Sequence, residues 1–208
     1  MANGGVDAAM LPLEIELKPF TFTSIDTKNA DRGGNDTIYG EGGEDIILGG
    51  QGTDRIYGGD GDDDIIGGHN VTGGHDTGDF LDGGPGSDAI AADNAVIIRL
   101  SDAVDPRIRV LVGALIYDSN GLVQVTPDLQ IDPQGTSGRE IELLDHATNT
   151  ETGLYGSDVV AGGAGNDVIF GQLGDDILHG DGQIVGEEPG LMPAADTASD
   201  GDDYVEGN

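Results

Sequence analysis

Aspartate recurs every nine residues in the first third of this chain, at Asp36, Asp45, Asp54 and Asp63. Glycines precede each of them, and an isoleucine follows two positions later, at Ile38, Ile47, Ile56 and Ile65. The cleanest units are Gly49-Gly50-Gln51-Gly52-Thr53-Asp54-Arg55-Ile56-Tyr57 and Gly58-Gly59-Asp60-Gly61-Asp62-Asp63-Asp64-Ile65-Ile66. Both read G-G-x-G-x-D-x-U-x, where U is a large aliphatic residue. A fixed short period of this kind marks a solenoid whose units bury their apolar side chains only by stacking on one another.

The spacing dictates the local structure. The first six residues of a unit turn tightly, and the last three are extended. Glycine permits such a turn because it enters positive-φ conformations without steric cost. Side chains of an extended segment alternate, so the aliphatic at the eighth position points inward and its neighbours point outward. Two units complete one coil, and units two apart stack on the same edge. This predicts Asp36 below Asp54 on one edge and Asp45 below Asp63 on the other. The expected fold is all-β: a parallel β-roll in two blocks, with a small antiparallel β-sheet inserted between them.

Four regions follow from this reading. Residues 1–30 precede the repeats and hold an apolar, partly alternating run (Leu13 to Leu17, then Phe20 to Thr23) that reads as one or two strands. They serve either as a cap on the first coil or as a donor strand for a neighbour. The first repeat block spans 31–92. Its register breaks after Asp63, where a seven-residue insertion moves the next rung to Asp79, and it resumes with Asp88. Residues 93–152 are poorer in glycine and richer in β-branched residues, with apolar runs at Val96 to Leu100, Ile108 to Val112, Leu122 to Val125 and Ile141 to Leu144. Asn120-Gly121 after Ile116-Tyr117 is a hairpin signal, and the segment reads as an antiparallel insert of three to five strands. The second block, 153–208, carries Asp158, Asp167 and Asp176, again nine apart, then a loop and a further rung at Asp203. The two blocks end alike, in Ala92-Asp93-Asn94-Ala95-Val96-Ile97 and Gly180-Asp181-Gly182-Gln183-Ile184-Val185.

Charge decides between a disordered and a folded chain. Forty acidic residues against eight basic ones give a formal charge of -32. Nucleic acid is excluded as a partner, because its phosphates require lysine and arginine. The composition alone allows disorder, a halophile-type acidic surface, or neutralisation by bound cations. The strict register argues against disorder, and the stacked aspartates argue for cations. Two carboxylates and several turn carbonyls make an all-oxygen ligand set on a flexible backbone, which suits calcium rather than magnesium or zinc. One aliphatic per unit makes a thin core, so metal binding is expected to be coupled to folding.

These residues resemble the RTX (repeats-in-toxin) calcium-binding family over roughly 31–92, 153–185 and 198–208. The resemblance implies a β-roll holding several calcium ions. Its aspartate ligands fall on Asp36, Asp45, Asp54, Asp63, Asp79, Asp88, Asp158, Asp167, Asp176 and Asp203. Its backbone carbonyl ligands fall on Gly33, Asn35, Gly42, Glu44, Gly49, Gln51, Gly58, Asp60, Asp62, Gly83, Pro85, Gly162, Ala164, Gly171 and Leu173. Family members are exported by type I secretion and fold where calcium is abundant, which implies an extracellular or cell-surface protein. Met1 to Asp7 lack the basic and apolar regions of a cleaved signal peptide, so export is expected to use a route without a cleaved leader, unless a leader is missing from this sequence. The chain has no cysteine, so it has no disulfides and no thiolate chemistry. No apolar run is long enough to span a membrane.

No catalytic residue is expected. There is no G-x-S-x-G and no H-E-x-x-H, and the paired carboxylates are accounted for by cation binding. His69 and His75 flank a glycine-rich loop, either as metal ligands or as polar loop residues. The chain stops in mid-unit at Gly207-Asn208, and the run Gly33 to Tyr39 completes that unit in register. Asp203 is therefore expected to lack a stacked partner within the chain, and subunits are expected to join head to tail through their open ends. The alternative is a segment of a longer protein. The leading functional reading is a calcium-dependent extracellular structural protein that forms filaments or a surface layer. Its rivals are an adhesin-type binding module and a folding domain that accompanies a secreted enzyme or toxin.

Overall fold

A computed structural model describes residues 25–99, 116–117, 123–124, 139–146, 155–186, 190–192 and 199–207. Among these residues there is no helix, and no segment forms a helix long and apolar enough to cross a membrane. The strands expected between Leu13 and Phe22, and the run Ile108 to Val112, lie outside the described residues.

Each repeat contributes one short strand, and successive strands fall alternately into two parallel sheets. Sheet one has the order β1 (Thr37–Tyr39), β3 (Arg55–Tyr57), β5 (Phe80–Pro85), β11 (Val159–Ala164) and β13 (Ile177–His179). Sheet two has the order β2 (Ile46–Leu48), β4 (Asp64–Ile66), β6 (Ala89–Ala91), β12 (Val168–Phe170) and β16 (Tyr204–Glu206). The eighth-position aliphatics are in register across each sheet: Ile38, Ile56, Leu81, Val160 and Leu178 in the first, Ile47, Ile65, Ile90, Ile169 and Val205 in the second. Ile47, Ile56, Ile65, Leu81, Ile90, Val160 and Ile169 meet between the sheets in one buried cluster, with Ile38 and Leu178 partly buried against it.

The two repeat blocks form one continuous roll. β5 pairs directly with β11, and β6 with β12, so the stack passes from the first block to the second without a strand from between them. Part of the excursion folds back. β7 (Ala95–Arg99) pairs antiparallel with β10 (Arg139–Leu143). β8 (Ile116–Tyr117) pairs antiparallel with β9 (Val123–Gln124), which gives the expected hairpin, with Tyr117 opposite Val123. The insert thus contributes two separate antiparallel pairs among the described residues, rather than one sheet. The similar motif after β13 behaves alike: β14 (Gln183–Val185) leaves the roll and pairs antiparallel with β15 (Gly190–Met192).

The outer face of sheet two carries a second core. Ile66, Ala89, Ala91 and Phe170 point outward from the roll, yet they are buried against Ala95, Ile97, Ile141 and Leu143 of the β7–β10 pair. The expectation of a single thin core therefore needs correction. The outward positions of this sheet are apolar, and the insert covers them.

Candidate metal sites

The tenfold set of rung aspartates divides into two ladders, one on each edge of the roll. On the first edge the backbone N–H of Asp36 donates to Asp54 Oδ1 (2.8 Å), Asp54 to Asp79 (2.7 Å), Asp79 to Asp158 (2.7 Å) and Asp158 to Asp176 (3.0 Å). On the second, Asp45 donates to Asp63 (2.8 Å), Asp63 to Asp88 (2.7 Å), Asp88 to Asp167 (2.8 Å) and Asp167 to Asp203 (3.0 Å). Each carboxylate after the first rungs, Asp36 and Asp45, therefore ties its own coil to the one before, through a charge-assisted bond to a main-chain N–H.

The ladder crosses every interruption of the register. Asp79 follows Asp54 despite the insertion, and Asp158 follows Asp79 across the long excursion. Asp203 does have a partner in the chain, contrary to the sequence expectation. The β14–β15 hairpin is looped out, so Asp203 stacks on Asp167 and β16 on β12.

The second oxygen of each rung supplies the chemistry. Oδ2 of Asp45, Asp54, Asp79, Asp88, Asp158, Asp167 and Asp176 is buried and finds no hydrogen-bond partner among the described residues. Oδ2 of Asp45, Asp54, Asp88 and Asp167 faces the glycine five residues earlier together with a carbonyl of the next coil, Asp79 Oδ2 faces Gly67 and the Ala92 carbonyl, and Asp176 Oδ2 faces Gly171. A methyl group placed on Gly58 would lie 2.5 Å from Asp63 Oδ2 and 2.6 Å from the Gly83 carbonyl oxygen. The same point beside Gly83 is approached by Asp88 Oδ2 and the Gly162 carbonyl, and beside Gly40 by Asp45 Oδ2 and the Gly58 carbonyl. Glycine is required there because a β-carbon would fill the space these oxygens share. Several proposed carbonyl ligands also hold neighbouring coils together: Asp60 accepts from Gly43, Gly83 from Gly59, Pro85 from Gly61 and Ala164 from Gly86.

Buried carboxylates without a cation are unfavourable as anions. Burial holds the Asp54, Asp176 and Asp203 carboxyls above the usual range and pushes Asp79 up strongly. It moves Asp158 and Asp167 up to about 7 and Asp88 up to about 8. The ladder N–H bonds work against this shift, and the charges of neighbouring rungs add to it. In Asp88, the N–H of Asp63 lowers the value while Asp167 and Asp63 raise it.

Some buried polar residues gave no periodic signal in the sequence. Asp76, in the insertion, and Asp93, in the motif that ends the first block, are both buried beside the first ladder. Burial comes first in raising Asp93 to about 9, and the charge of Asp158 comes next. Gln172 takes a positive φ of 66° where the repeat has glycine; its side chain accepts from Asp93 N–H (3.2 Å) and donates to the Asn94 carbonyl (3.0 Å). His69, in the loop between β4 and β5, is buried and lies against Gly50 and Gly74, whereas His75 is exposed.

Among the described residues, no three His, Cys, Asp or Glu side chains converge closely enough to hold a metal ion by themselves. Any cation on the ladders must therefore take main-chain carbonyls as well as the rung carboxylates. The donor set is all oxygen, anionic and buried, and it fits calcium. The family model described as RTX calcium-binding nonapeptide repeat (4 copies) matches residues 31–56, 43–68 and 152–184. No curated protein and no solved structure matches the chain.

Proposed function

From a chain that carries RTX calcium-binding nonapeptide repeats, we propose an extracellular structural protein whose roll folds when calcium fills the two aspartate ladders. One observation carries this reading: the row of buried rung oxygens without hydrogen-bond partners. Such a row opposes folding of the metal-free chain, and cations convert it into the link between coils. Binding energy is then folding energy. Calcium would be held by the rung carboxylates, from Asp36 and Asp45 at one end to Asp176 and Asp203 at the other, with turn carbonyls such as those of Gly58, Gly83 and Gly162. The regions 1–30, 31–92, 93–152 and 153–208 then act as cap or donor strand, first half-roll, covering insert and second half-roll.

An abundance of calcium suits the cell exterior, and we place the protein there or on the cell surface. Self-association through the ends of the roll is part of the proposal. Ile177 and Val205, on the last strands of the two sheets, are exposed, and within the described residues each of those strands has a sheet partner on one side only. Solenoid ends of this kind favour head-to-tail contacts.

A calcium titration of the full chain, followed by circular dichroism and sedimentation, tests both parts. Strand signal is expected to appear at millimolar calcium and to vanish in excess chelator, with larger species sedimenting only in calcium. A chain that stays folded in chelator sinks the coupling. Monodisperse monomers in millimolar calcium sink the assembly.

A further inference from the structure

The first edge of the roll is interrupted twice in its interior. Its third turn runs from Gly67 to Asp79 and contains the insertion, and its fourth opens at Ala92 and closes at Asp158. In an uninterrupted turn the rung oxygen faces main-chain carbonyls, as beside Gly58. At the interrupted turns, side-chain oxygens also take up positions along this row.

Asp76 is 4% exposed and Asp93 2% exposed. Asp76 Oδ1 accepts the Thr77 N–H at 2.8 Å, and Asp76 Oδ2 is buried with no hydrogen-bond partner. Asp93 repeats the arrangement with the oxygens exchanged: Oδ2 accepts the Leu173 N–H at 2.7 Å, and Oδ1 is buried with no partner. A methyl on Gly68 would lie 2.6 Å from Asp76 Oδ2, 2.6 Å from Asn94 Oδ1 and 3.1 Å from the main-chain carbonyl carbon of Asp93. A methyl on Gly67 would meet Asp79 Oδ2 at 2.6 Å. Oxygens from both interrupted turns thus surround the Gly67–Gly68 segment.

We propose that Asp76 and Asp93 hold an additional calcium ion between the two interrupted turns, outside the set of rung sites. The inference rests on the calcium reading of the ladders. The third and second positions that these residues occupy carry no ligand side chain in the repeat, which has a variable residue at one and glycine at the other. Beside the Ala92 carbonyl, which continues the row at Gly67, the two carboxylates supply further oxygen and charge, and main-chain carbonyls complete the shell. The preference is for calcium because the donors are all oxygen and come from a turn rather than a rigid octahedral cage. The ion would fasten both excursions to the roll where they leave it.

Asp76→Asn and Asp93→Asn each retain one oxygen for the existing N–H bond and turn the unpartnered oxygen into an amide nitrogen that cannot bind a cation. Equilibrium dialysis of the full chain against calcium is expected to give one ion fewer per chain in the double variant than in wild type. Equal stoichiometry and affinity in a folded double variant overturns the additional site and leaves the ladders standing. A wild-type chain that binds no calcium overturns the ladder reading and this inference together. If the double variant does not fold, terbium replaces calcium on the native side chains. Tyr155 donates to the Gly74 carbonyl at 3.1 Å, and its hydroxyl lies 3.4 Å from Asn94 Nδ2, so it borders the site. Tyrosine-sensitised terbium emission is expected to fall more in Tyr155→Phe than in Tyr57→Phe. An equal fall in both overturns the proposal.

Discussion

The two excursions from the roll cover opposite sheets, and they are attached in different ways. The β7–β10 pair lies on sheet two through a continuous apolar contact between Ala95, Ile97, Ile141 and Leu143 on one side and Ile66, Ala89, Ala91 and Phe170 on the other. The β14–β15 hairpin lies against β5 and β11 of sheet one. Its buried Ile184 is joined to the sheet by a polar bond, the Ile184 N–H donating to Asp82 Oδ2 at 2.7 Å. Beside it remains a cavity of about 490 Å³ bordered by Tyr57, Asp82, Gly182 and Gln183. The inner aliphatic ladder is the same for both sheets, because the repeat fixes it. Only the outward positions differ, and they decide which sheet gains a second core and which keeps polar contacts.

The largest expected effect comes from the ion pair that fixes the first excursion. Arg139 Nε is bonded to Asp64 Oδ1, and both side chains are almost wholly buried. Its two other nitrogens donate to the Ser87 carbonyl (2.7 Å) and the Asp63 carbonyl (3.2 Å) of the second-edge turns. Arg139→Met removes the cation that faces the buried Asp64 carboxylate. Breaking one half of a buried pair costs about 3–5 kcal/mol. Denaturant unfolding in saturating calcium should show that loss, and adding Asp64→Leu should recover most of it. If the single variant is as stable as wild type, the pair is not what anchors the insert.

The apolar contact is tested by two outward residues on opposite sheets. Phe170 on sheet two is 2% exposed, and Ile177 on sheet one is 54% exposed. Truncating a buried phenylalanine to alanine costs about 3 kcal/mol or somewhat more, whereas a solvent-facing substitution changes stability by less than about 0.5 kcal/mol. Phe170→Ala should therefore destabilise the roll strongly and Ile177→Ala hardly at all, both read by denaturant midpoint in calcium. Equal losses would mean that both outer faces are covered to the same degree.

The sequence made the ladders legible because their signal is local. A unit of nine puts Asp54 on Asp36 and Asp63 on Asp45 by counting alone, and the hydrogen bonds follow that count. Counting fails where the chain leaves the roll. That Asp158 stacks on Asp79 depends on β5 pairing with β11 across the excursion, and no local spacing reports it. Asp203 was misjudged for the same reason. It is in phase with a coil that would have held residues 183–185, but that segment pairs with 190–192 instead and drops out of the stack. The apolar outward residues Ile66, Ala89, Ala91 and Phe170 were visible as letters. Nothing in a period of two tells whether an outward face meets water or another strand. Asp76 and Asp93 were hidden because each occurs once, without register.

The smallest expected effect isolates the polar attachment of the second excursion. Asp82 is 8% exposed, and burial raises its carboxyl to about 6, with the Ile184 N–H bond opposing the shift. A carboxyl whose folded value lies above its unfolded value binds extra protons in the folded state. Its contribution to stability is complete below about 3.8 and is lost as pH rises through about 6. Above that range a buried, singly bonded anion opposes folding. Asp82→Asn keeps an acceptor for Ile184 and removes the charge. It should therefore stabilise the calcium-loaded roll by about 1–2 kcal/mol at about pH 8 and by about half as much at about pH 5, as measured by thermal unfolding. A gain of equal size at both pH values would trace the effect to shape rather than charge. In that case the hairpin on sheet one would be held like the pair on sheet two, by packing.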